Sequence, residues 1–578
     1  MKIVIAQTAG FCMGVRRAVE MVLDATKKYS SPIYTYGPLI HNPQVLEILN
    51  EKGIRILEEI PSKGFGTVLI RAHGIPPDKY EQLKEAGFNV IDATCPRVIK
   101  VQTIIKNLAR KGYASIIVGD RDHAEVIGLL GYAGEKKMVI GSLKQLETIP
   151  PFEKAIIVAQ TTQNKQFFEE VKAWFKNNRP EYLVFDTICG STEKRQNEVK
   201  RLAQIVDAII VVGGYTSGNT QRLYEIAKRS GKPSFYVENE SQLDLPSLYH
   251  AKSIGITAGA STPNWGIRRI FQTLETMPLE KDKPLSKFFF SFLRLLLFSS
   301  TYLAIGAGCI CYAAAKLQGI QNFIPYSLIA YFYVQSMHIF NNLTGRRADR
   351  YNDPDKALFY ASNKPILSAL ASVTGIAGLV LAWFSGFIVF LLFLLMSIIG
   401  LLYNIRIMPG GFRGIKSERI KDIPASKTLL VAFAWAIATS FFAPLSVHGH
   451  LTLSSIVVFF WSGGLVFSRT AFFDIMDMHG DRMVGKETLP IALGEKLTMK
   501  ILKIFSVLLA ILLIASSWLN IIPGAGYALA ICPLFFILLL FSYEKGYIIP
   551  GLRLEFLVES LFVATGIITG IWAFFHLG

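Results

Sequence analysis

From Phe288 onward, apolar runs of membrane-spanning length recur to the end of the chain, whereas the residues before it have ordinary soluble proportions. Few features restrict a fold as sharply, because a segment inside lipid must satisfy every backbone hydrogen bond internally and so becomes a helix or part of a closed barrel. The run lengths select helices. Nine candidate spans lie near 289–314, 323–341, 365–384, 387–403, 427–444, 453–469, 502–518, 525–543 and 556–575, the third and fourth nearly fused across Ser385 and Gly386. At 578 residues the chain is too long for one core. PLEKDKPLSK (278–287) is a polar, proline-marked connection. The expected organisation is an α/β domain over 1–280, a linker over 281–288 and an all-α membrane domain over 289–578.

The net charge of +17 forms no basic stripe with interleaved aromatics, so no nucleic-acid partner is expected. Membrane topology explains it better. With the N-terminus inside, the segments on the cytoplasmic side (281–287, 344–364, 404–427, 469–503 and 544–554) carry 22 Lys and Arg, against one, Lys316, in the opposite loops. That asymmetry sets orientation by the positive-inside rule. MKIVIAQTAG reads as a strand and a turn, without a signal-peptide pattern. The expectation is a multi-pass protein of the cell inner membrane, in contact with its lipids, with the N-terminal domain cytoplasmic.

Beyond the sixth span, FFDIMDMHGDRM places Asp474, Asp477 and Asp481 at i, i+3 and i+7, one face of a helix. Carboxylates held this close repel unless a cation intervenes, and Mg²⁺ held by carboxylates completes its shell with phosphate oxygens. A solvated helix end is the alternative. Beside a bilayer, the pattern favours a long-tailed diphosphate. Here the membrane half resembles the UbiA-type intramembrane prenyltransferases, which implies nine helices, Mg²⁺, a prenyl diphosphate and an acceptor the sequence does not identify. The Asp474-Asp477-Asp481 set and the stretch Gly485 to Pro490 match the family's second acidic motif. In its first, NNLTGRRADRYNDP, Asn341 and Asp349 align, but Asn342 and Gly345 replace two aspartates, leaving nearby Asp353 and Asp355 as substitute ligands. The resemblance also assigns Lys427 and Tyr403 to the diphosphate.

In the first 280 residues only Cys12, Cys95 and Cys189 are cysteines, each a few residues beyond a strand-like run. A cubane iron–sulfur cluster normally takes four thiolates, so three leave one iron free for a ligand. Three packed thiols are the plainer alternative. Six cysteines without paired spacing argue against disulfides, and Cys309, Cys311 and Cys532 lie in apolar stretches as packing residues.

Other polar motifs also follow strand-like runs: His41 in GPLIHNPQV, His73 after TVLIRA, His123 and Glu125 after SIIVGDRD, Thr161 after AIIVAQ, Ser217 and Asn219 after AIIVVGGYT, and Ser261 after SIGITAGA. Continuous apolar runs of this kind indicate parallel sheets covered on both faces, where ligands collect beyond the carboxyl ends of the strands. The histidines, Ser217, Asn219 and Ser261 can donate hydrogen bonds to an anion, and GGYTSGNT before a helical stretch suits a phosphate. A zinc site is the alternative for the histidines, but its usual spacing is missing. Glu125, two residues after His123 in an expected loop, can pass a proton to a bound hydroxyl, or be a surface loop acid or helix cap.

Together, AGFCMGVRRAVE, DATCP, the TIC at Cys189, HNP, AHG, QTT and TAGAS closely resemble, in order, the 4-hydroxy-3-methylbut-2-enyl diphosphate reductases over residues 1 to about 275. Two positions depart: Ser217-Gly218-Asn219 where the family has Ser-Ser-Asn, and Ala124 for a proline. The resemblance implies a trefoil of three αβα units around a [4Fe–4S] cluster, with Glu125, His123 and Thr161 catalytic and His41, His73, His123, Ser217, Asn219 and Ser261 binding the hydroxylated C5 diphosphate. It also implies reductive loss of water to isopentenyl and dimethylallyl diphosphates, driven by ferredoxin or flavodoxin. The leading expectation is a bifunctional isoprenoid enzyme. Two rivals are a reductase with a noncatalytic, prenyl-lipid-binding membrane anchor, and a cluster-bearing electron carrier serving the membrane half.

Overall fold

The computed structural model describes residues 2–29, 32–275, 284–344, 352–402, 426–484, 488–546 and 551–576. Two compact units divide it, Met1–Glu280 and Lys281–Gly578.

The first unit holds three four-stranded sheets, and every strand pairing among the described residues is parallel. In spatial order they are Lys2–Ile5, Ser253–Ala258, Ala208–Val212 and Ser234–Val237; then Ile54–Leu57, Ile33–Tyr36, Thr67–Ile70 and Asn89–Asp92; then Lys137–Ile140, Ala114–Val118, Ala155–Ala159 and Leu183–Phe185. Inner strands such as Ala114–Val118, Ala155–Ala159 and Ala208–Val212 are buried along their whole length, as continuous apolar runs require when helices cover both faces. The first sheet pairs the N-terminal strand Lys2–Ile5 with strands from the far end of the unit, so chain order alone does not reveal which strands are edges.

That division is what positions the site. Cys12, Cys95 and Cys189 follow Lys2–Ile5, Asn89–Asp92 and Leu183–Phe185, one edge strand from each sheet. Each occupies the N-cap position of the helix that follows: Met13–Lys28, Pro96–Ala109 and Gly190–Ile205. His41, His73, His123, Thr161, Ser217 and Ser261 instead follow inner strands.

In the second unit every described candidate span falls on helix, but among the described residues six helices are long and apolar enough to cross a bilayer, or seven counting one bent pair. The bent pair is the first expected span. Helices Pro284–Phe298 and Thr301–Leu317 turn by 70° where Ser300 takes φ 59°, so that span is not one straight rod. The break between the third and fourth spans falls at Gly386, whose φ of 130° suits glycine alone. Phe387–Leu402 has 16 residues, about 24 Å at 1.5 Å each, short of a ~30 Å hydrocarbon core. Ile324–Thr344 is long enough but carries Gln335, His338, Asn341 and Asn342. The sixth span runs unbroken to Val484 and holds all three aspartates of the acidic motif on one helix, Leu453–Val484.

Ion pairs staple the helix Leu552–Phe575: Arg469 to buried Glu559 at 2.6 Å, and Lys356 to Glu555 at 3.3 Å, the two glutamates one turn apart.

Candidate active site

One cavity in the first unit is lined by Cys12, Cys95, Cys189, His41, His73, His123, Glu125, Thr161, Ser217, Asn219 and Ser261, which brings every candidate of this half together. The inner strands deliver the polar donors and the edge strands the thiols.

The HNP motif works locally. Asn42 caps Pro43–Glu51 by accepting from the Val45 N–H at 3.1 Å, with proline in the first turn, which sets the entry of the chain after His41. The three imidazoles form a triangle with ring centroids 5.0, 5.4 and 5.9 Å apart. Burial, then the other two rings and Arg71, lowers the pKa of His73 well below its ordinary value; burial and Arg71 lower that of His41; and burial, with His41 next, brings His123 to about 4. All three are thus neutral in the free site near pH 7. His123 Nδ1 accepts from the Glu125 N–H at 3.1 Å, so its neutral ring carries the proton on Nε2. Three buried polar atoms on this wall, His41 Nε2, His73 Nδ1 and Asn219 Nδ2, have no hydrogen-bond partner in the protein. Buried polar groups are costly to leave unpaired, which calls for a polar ligand here.

Glu125 stands in the first turn of the helix Ala124–Leu130 rather than in a loop, and is 1% exposed. The Thr161 N–H donates to its Oε1 at 2.6 Å and the Thr161 hydroxyl to its Oε2 at 2.8 Å. Burial raises its pKa against the downward pull of those two bonds. The Cys189 N–H donates to the Thr161 carbonyl at 2.9 Å, joining the acid to the thiol side of the cavity.

The thiols suit a shared metal cluster. Each sits at a helix N-terminus, where unpaired N–H groups and the helix dipole favour a thiolate. At Cys95, burial raises the pKa while the N–H groups of Arg97 and Val98 pull it down. Gly14 leaves room beside this sulfur: a Cβ there would lie 2.5 Å from Cys95 Sγ. Gly14→Ala, which helix propensity does not oppose, is therefore expected to leave the helix intact and to load much less iron and sulfide than the unsubstituted chain on anaerobic reconstitution. Metal analysis beside far-ultraviolet circular dichroism checks this.

Sequence reasoning missed the frame behind the thiols. Glu198 accepts from the N–H groups of Gln7 (2.7 Å) and Thr8 (2.9 Å), while the Arg195 guanidinium donates to the carbonyls of Thr8, Gly10 (2.7 Å) and Ala258 (3.3 Å). Both belong to the helix begun by Cys189, so this helix clamps the loop leading to Cys12. Arg17 then donates to the Thr94 carbonyl at 2.9 Å, reaching the Cys95 segment. Two buried charges on a helix already carrying a cysteine, at i and i+3, were the available signal. Arg71, two residues before His73, was equally visible.

Ser217 caps the helix Gly218–Arg229, accepting from the Thr220 N–H at 3.4 Å, and Ser261 Oγ donates to the His41 carbonyl at 3.2 Å. A Cβ at Gly218 would find its nearest neighbour, Arg222 Nη1, at 3.4 Å, then His123 Cδ2 at 3.6 Å. Gly218→Ser fits, and is expected to tighten inorganic diphosphate binding by about fivefold, the worth of one ~1 kcal/mol hydrogen bond, by calorimetry.

In the second unit Asp474 and Asp481 are both 1% exposed. Asp474 accepts from the Thr428 hydroxyl at 2.6 Å, and Asp481 from Asn352 Nδ2 at 2.9 Å, which ties the end of the first acidic stretch to the second. Asn341 lies on Ile324–Thr344, where Asn342 Nδ2 donates to the Tyr360 hydroxyl at 3.0 Å. Asp353 and Asp355, named as substitutes, both have partners within the protein. Asp353 caps the helix Pro354–Ser362, and Asp355 pairs with Arg294 at 3.1 Å. Asp349, Tyr403 and the side chain of Lys427 lie outside the described residues.

Comparison with known proteins extends both halves. Residues 3–275 match the family model described as LytB protein, and residues 300–547 that described as UbiA prenyltransferase family. The 4-hydroxy-3-methylbut-2-enyl diphosphate reductase of Caldanaerobacter subterraneus subsp. tengcongensis is 39% identical over 286 residues, 49% of this chain and 99% of that protein. The Aquifex aeolicus protein of the same name is 43% identical over 275 residues, 46% of this chain and 94% of its own length. Among solved structures, the apo form of a UbiA homolog from Aeropyrum pernix K1 aligns at 18% identity and a TM-score of 0.38, over 46% of this chain and 98% of that one. With its set of apolar helices the chain is a multi-pass membrane protein. Through residues 3–275 it belongs to the 4-hydroxy-3-methylbut-2-enyl diphosphate reductase family, fused to a UbiA prenyltransferase domain.

Proposed function

We propose that the first unit reductively dehydroxylates 4-hydroxy-3-methylbut-2-enyl diphosphate to isopentenyl and dimethylallyl diphosphates. The observation that carries this reading is the pairing, in one cavity, of three thiols at helix N-termini with a wall of unpartnered buried polar atoms. Cys12, Cys95 and Cys189 would hold a [4Fe–4S] cluster, which supplies electrons and an open iron for the substrate hydroxyl when bound. The three αβα units then form a trefoil about it. His41, His73 and Asn219, with Ser217 and Ser261, hold the diphosphate. Glu125 and Thr161, beside the thiols, deliver the proton that lets the hydroxyl leave as water, and His123 Nε2–H lies on the same wall. The test is anaerobic purification and incubation with the hydroxylated diphosphate and a chemical reductant. Both C5 diphosphates are expected, and their absence from cluster-loaded protein would overturn the reading.

An anion should change the charge of the histidine triangle. Burial holds the free rings neutral, and a bound diphosphate raises their pKa, so binding takes up protons and affinity weakens as pH rises through the bound-state values. Calorimetry with inorganic diphosphate in buffers of different ionisation enthalpy should record that uptake, reduced by up to about one proton in His41→Asn. Without ligand the sign reverses: a lowered His pKa contributes stability that is lost on acidification, for His123 between 6.5 and about 4.

For the second unit the reading is Mg²⁺-dependent transfer of a prenyl group to an unidentified acceptor. Asp349, Asp474, Asp477 and Asp481 would hold the metal, and Asn341, Lys427 and Tyr403 the prenyl diphosphate. Nine spans, with the first unit cytoplasmic and the protein in the inner membrane, agree with the placement of Lys and Arg. What supports catalysis over a plain anchor is the burial of Asp474 and Asp481, each held in place by a neutral donor.

A further inference from the structure

We propose that Lys356, Glu555, Glu559 and Arg469 form a charged bracket that fixes the spacing of the two acidic stretches of the membrane half, which makes them positioning residues for the Mg²⁺ and diphosphate site. The inference rests on the prenyl-transfer reading and names what holds that site in register. Helix Leu453–Val484, which carries Asp474, Asp477 and Asp481, is gripped at two points. At one, Asn352 donates to Asp481 at 2.9 Å, and Gly480 permits the approach, since a Cβ there would collide with Asn352 Oδ1. At the other, Arg469 pairs with Glu559 at 2.6 Å, its guanidinium 4.4 Å from the Phe473 ring centroid. The grips are about 18 Å apart along the helix at 1.5 Å per residue, with Asp474 and Asp477 between them. The circuit closes through the last helix, Leu552–Phe575, where Glu555 stands one turn before Glu559 and takes Lys356 at 3.3 Å. The run from Asn352 to Lys356 thus meets the acidic helix directly at Asp481, and by way of the last helix at Arg469.

Stability alone does not account for these charges. Two glutamates one turn apart repel, and taking them out of water with two cations is no more favourable than apolar packing of equal volume. Glu559 is buried, yet its Oε2 and the Arg469 Nε have no hydrogen-bond partner among the described residues, so the pair lacks the further bonds that offset burial. What such a pair supplies is register. Apolar ridges on neighbouring helices tolerate sliding, whereas opposite charges in a low-dielectric setting hold their distance. Ionisable side chains among membrane spans pair with one another and mark functional sites. Mg²⁺ demands near-ideal octahedral geometry, so a site shared by two acidic stretches depends on the distance this circuit sets.

The test uses the full chain in lipid nanodiscs, with Mn²⁺ as the metal probe and geranyl diphosphate as the anion. Joint Arg469→Met and Glu559→Leu substitution replaces the pair by apolar side chains of similar volume, which should leave the thermal midpoint unchanged or raised. Mn²⁺ affinity, read by electron paramagnetic resonance, is expected to fall by about 10- to 100-fold, the usual cost of losing a group that orients metal ligands. Arg469→Lys, which keeps the charge, should lose less. If the apolar pair fails to fold, Lys356→Gln, on a side chain 24% exposed, should weaken Mn²⁺ binding by a smaller factor. Unchanged Mn²⁺ affinity in these variants would overturn the proposal. So would affinity that falls only in step with the thermal midpoint, which would leave the charges a merely stabilising role. Failure of the prenyl-transfer reading shows separately, as unmodified protein that binds Mn²⁺ and diphosphate but transfers nothing, and weaker Mn²⁺ binding in the variants would still support the bracket.

Discussion

Glu125→Gln is expected to lower turnover of the hydroxylated diphosphate by about 10²- to 10⁴-fold, the usual worth of a positioned proton donor. The substitution is nearly isosteric, and the amide oxygen can still accept one of the two Thr161 bonds. Folding and cluster loading should persist. What is lost is a carboxyl that burial keeps easier to protonate than an exposed one. Anaerobic product analysis beside spectroscopic titration of the cluster separates the steps: reduction without product is the expected pair of results. Undiminished product formation would remove Glu125 from the chemistry and favour a carrier role for the whole first unit.

Asp474→Ala is expected to abolish Mg²⁺-dependent prenyl transfer, by about 10³-fold or more if metal stabilisation of the leaving diphosphate is worth several kcal/mol. Its control is Asp474→Asn, which keeps an acceptor for Thr428 and hence the local packing. The two variants should agree in activity and differ in stability, the alanine being the less stable because it leaves the buried Thr428 hydroxyl unpaired. Transfer measured with a labelled prenyl diphosphate checks the pair. Wild-type protein that binds prenyl diphosphate without turning it over would instead establish the membrane half as an anchor. Asn342 and Gly345 make that outcome worth testing, since Asp353 and Asp355 are engaged in a cap and an ion pair.

Much of the reductase cavity was legible because its chemistry sits just past apolar strands, where a parallel sheet must place a ligand. Cys12, His73 and Ser261 needed no contact map to be suspected. Strand order was not legible: Lys2–Ile5 pairs with Ser253–Ala258, about 250 residues away, and nothing local to either run records it. The Arg195 and Glu198 clamp stayed hidden for the same reason, since its partners at residues 7–10 are distant in sequence. In the membrane half hydropathy located the helices but not their continuity. The turn at Ser300 and the unbroken reach of Leu453–Val484 depend on packing and backbone dihedrals, to which composition is blind.

Placing the thiols after rim strands and the anion donors after central ones gives the two ends of the cavity separate genetic addresses. Drift in one need not disturb the other. The glycine at 218, where the family resemblance leads one to expect a serine, is such a change, confined to the end with the polar donors while the other end keeps all three sulfurs. Natural variation, and deliberate retargeting toward other diphosphates, should therefore accumulate in the loops after the central strands.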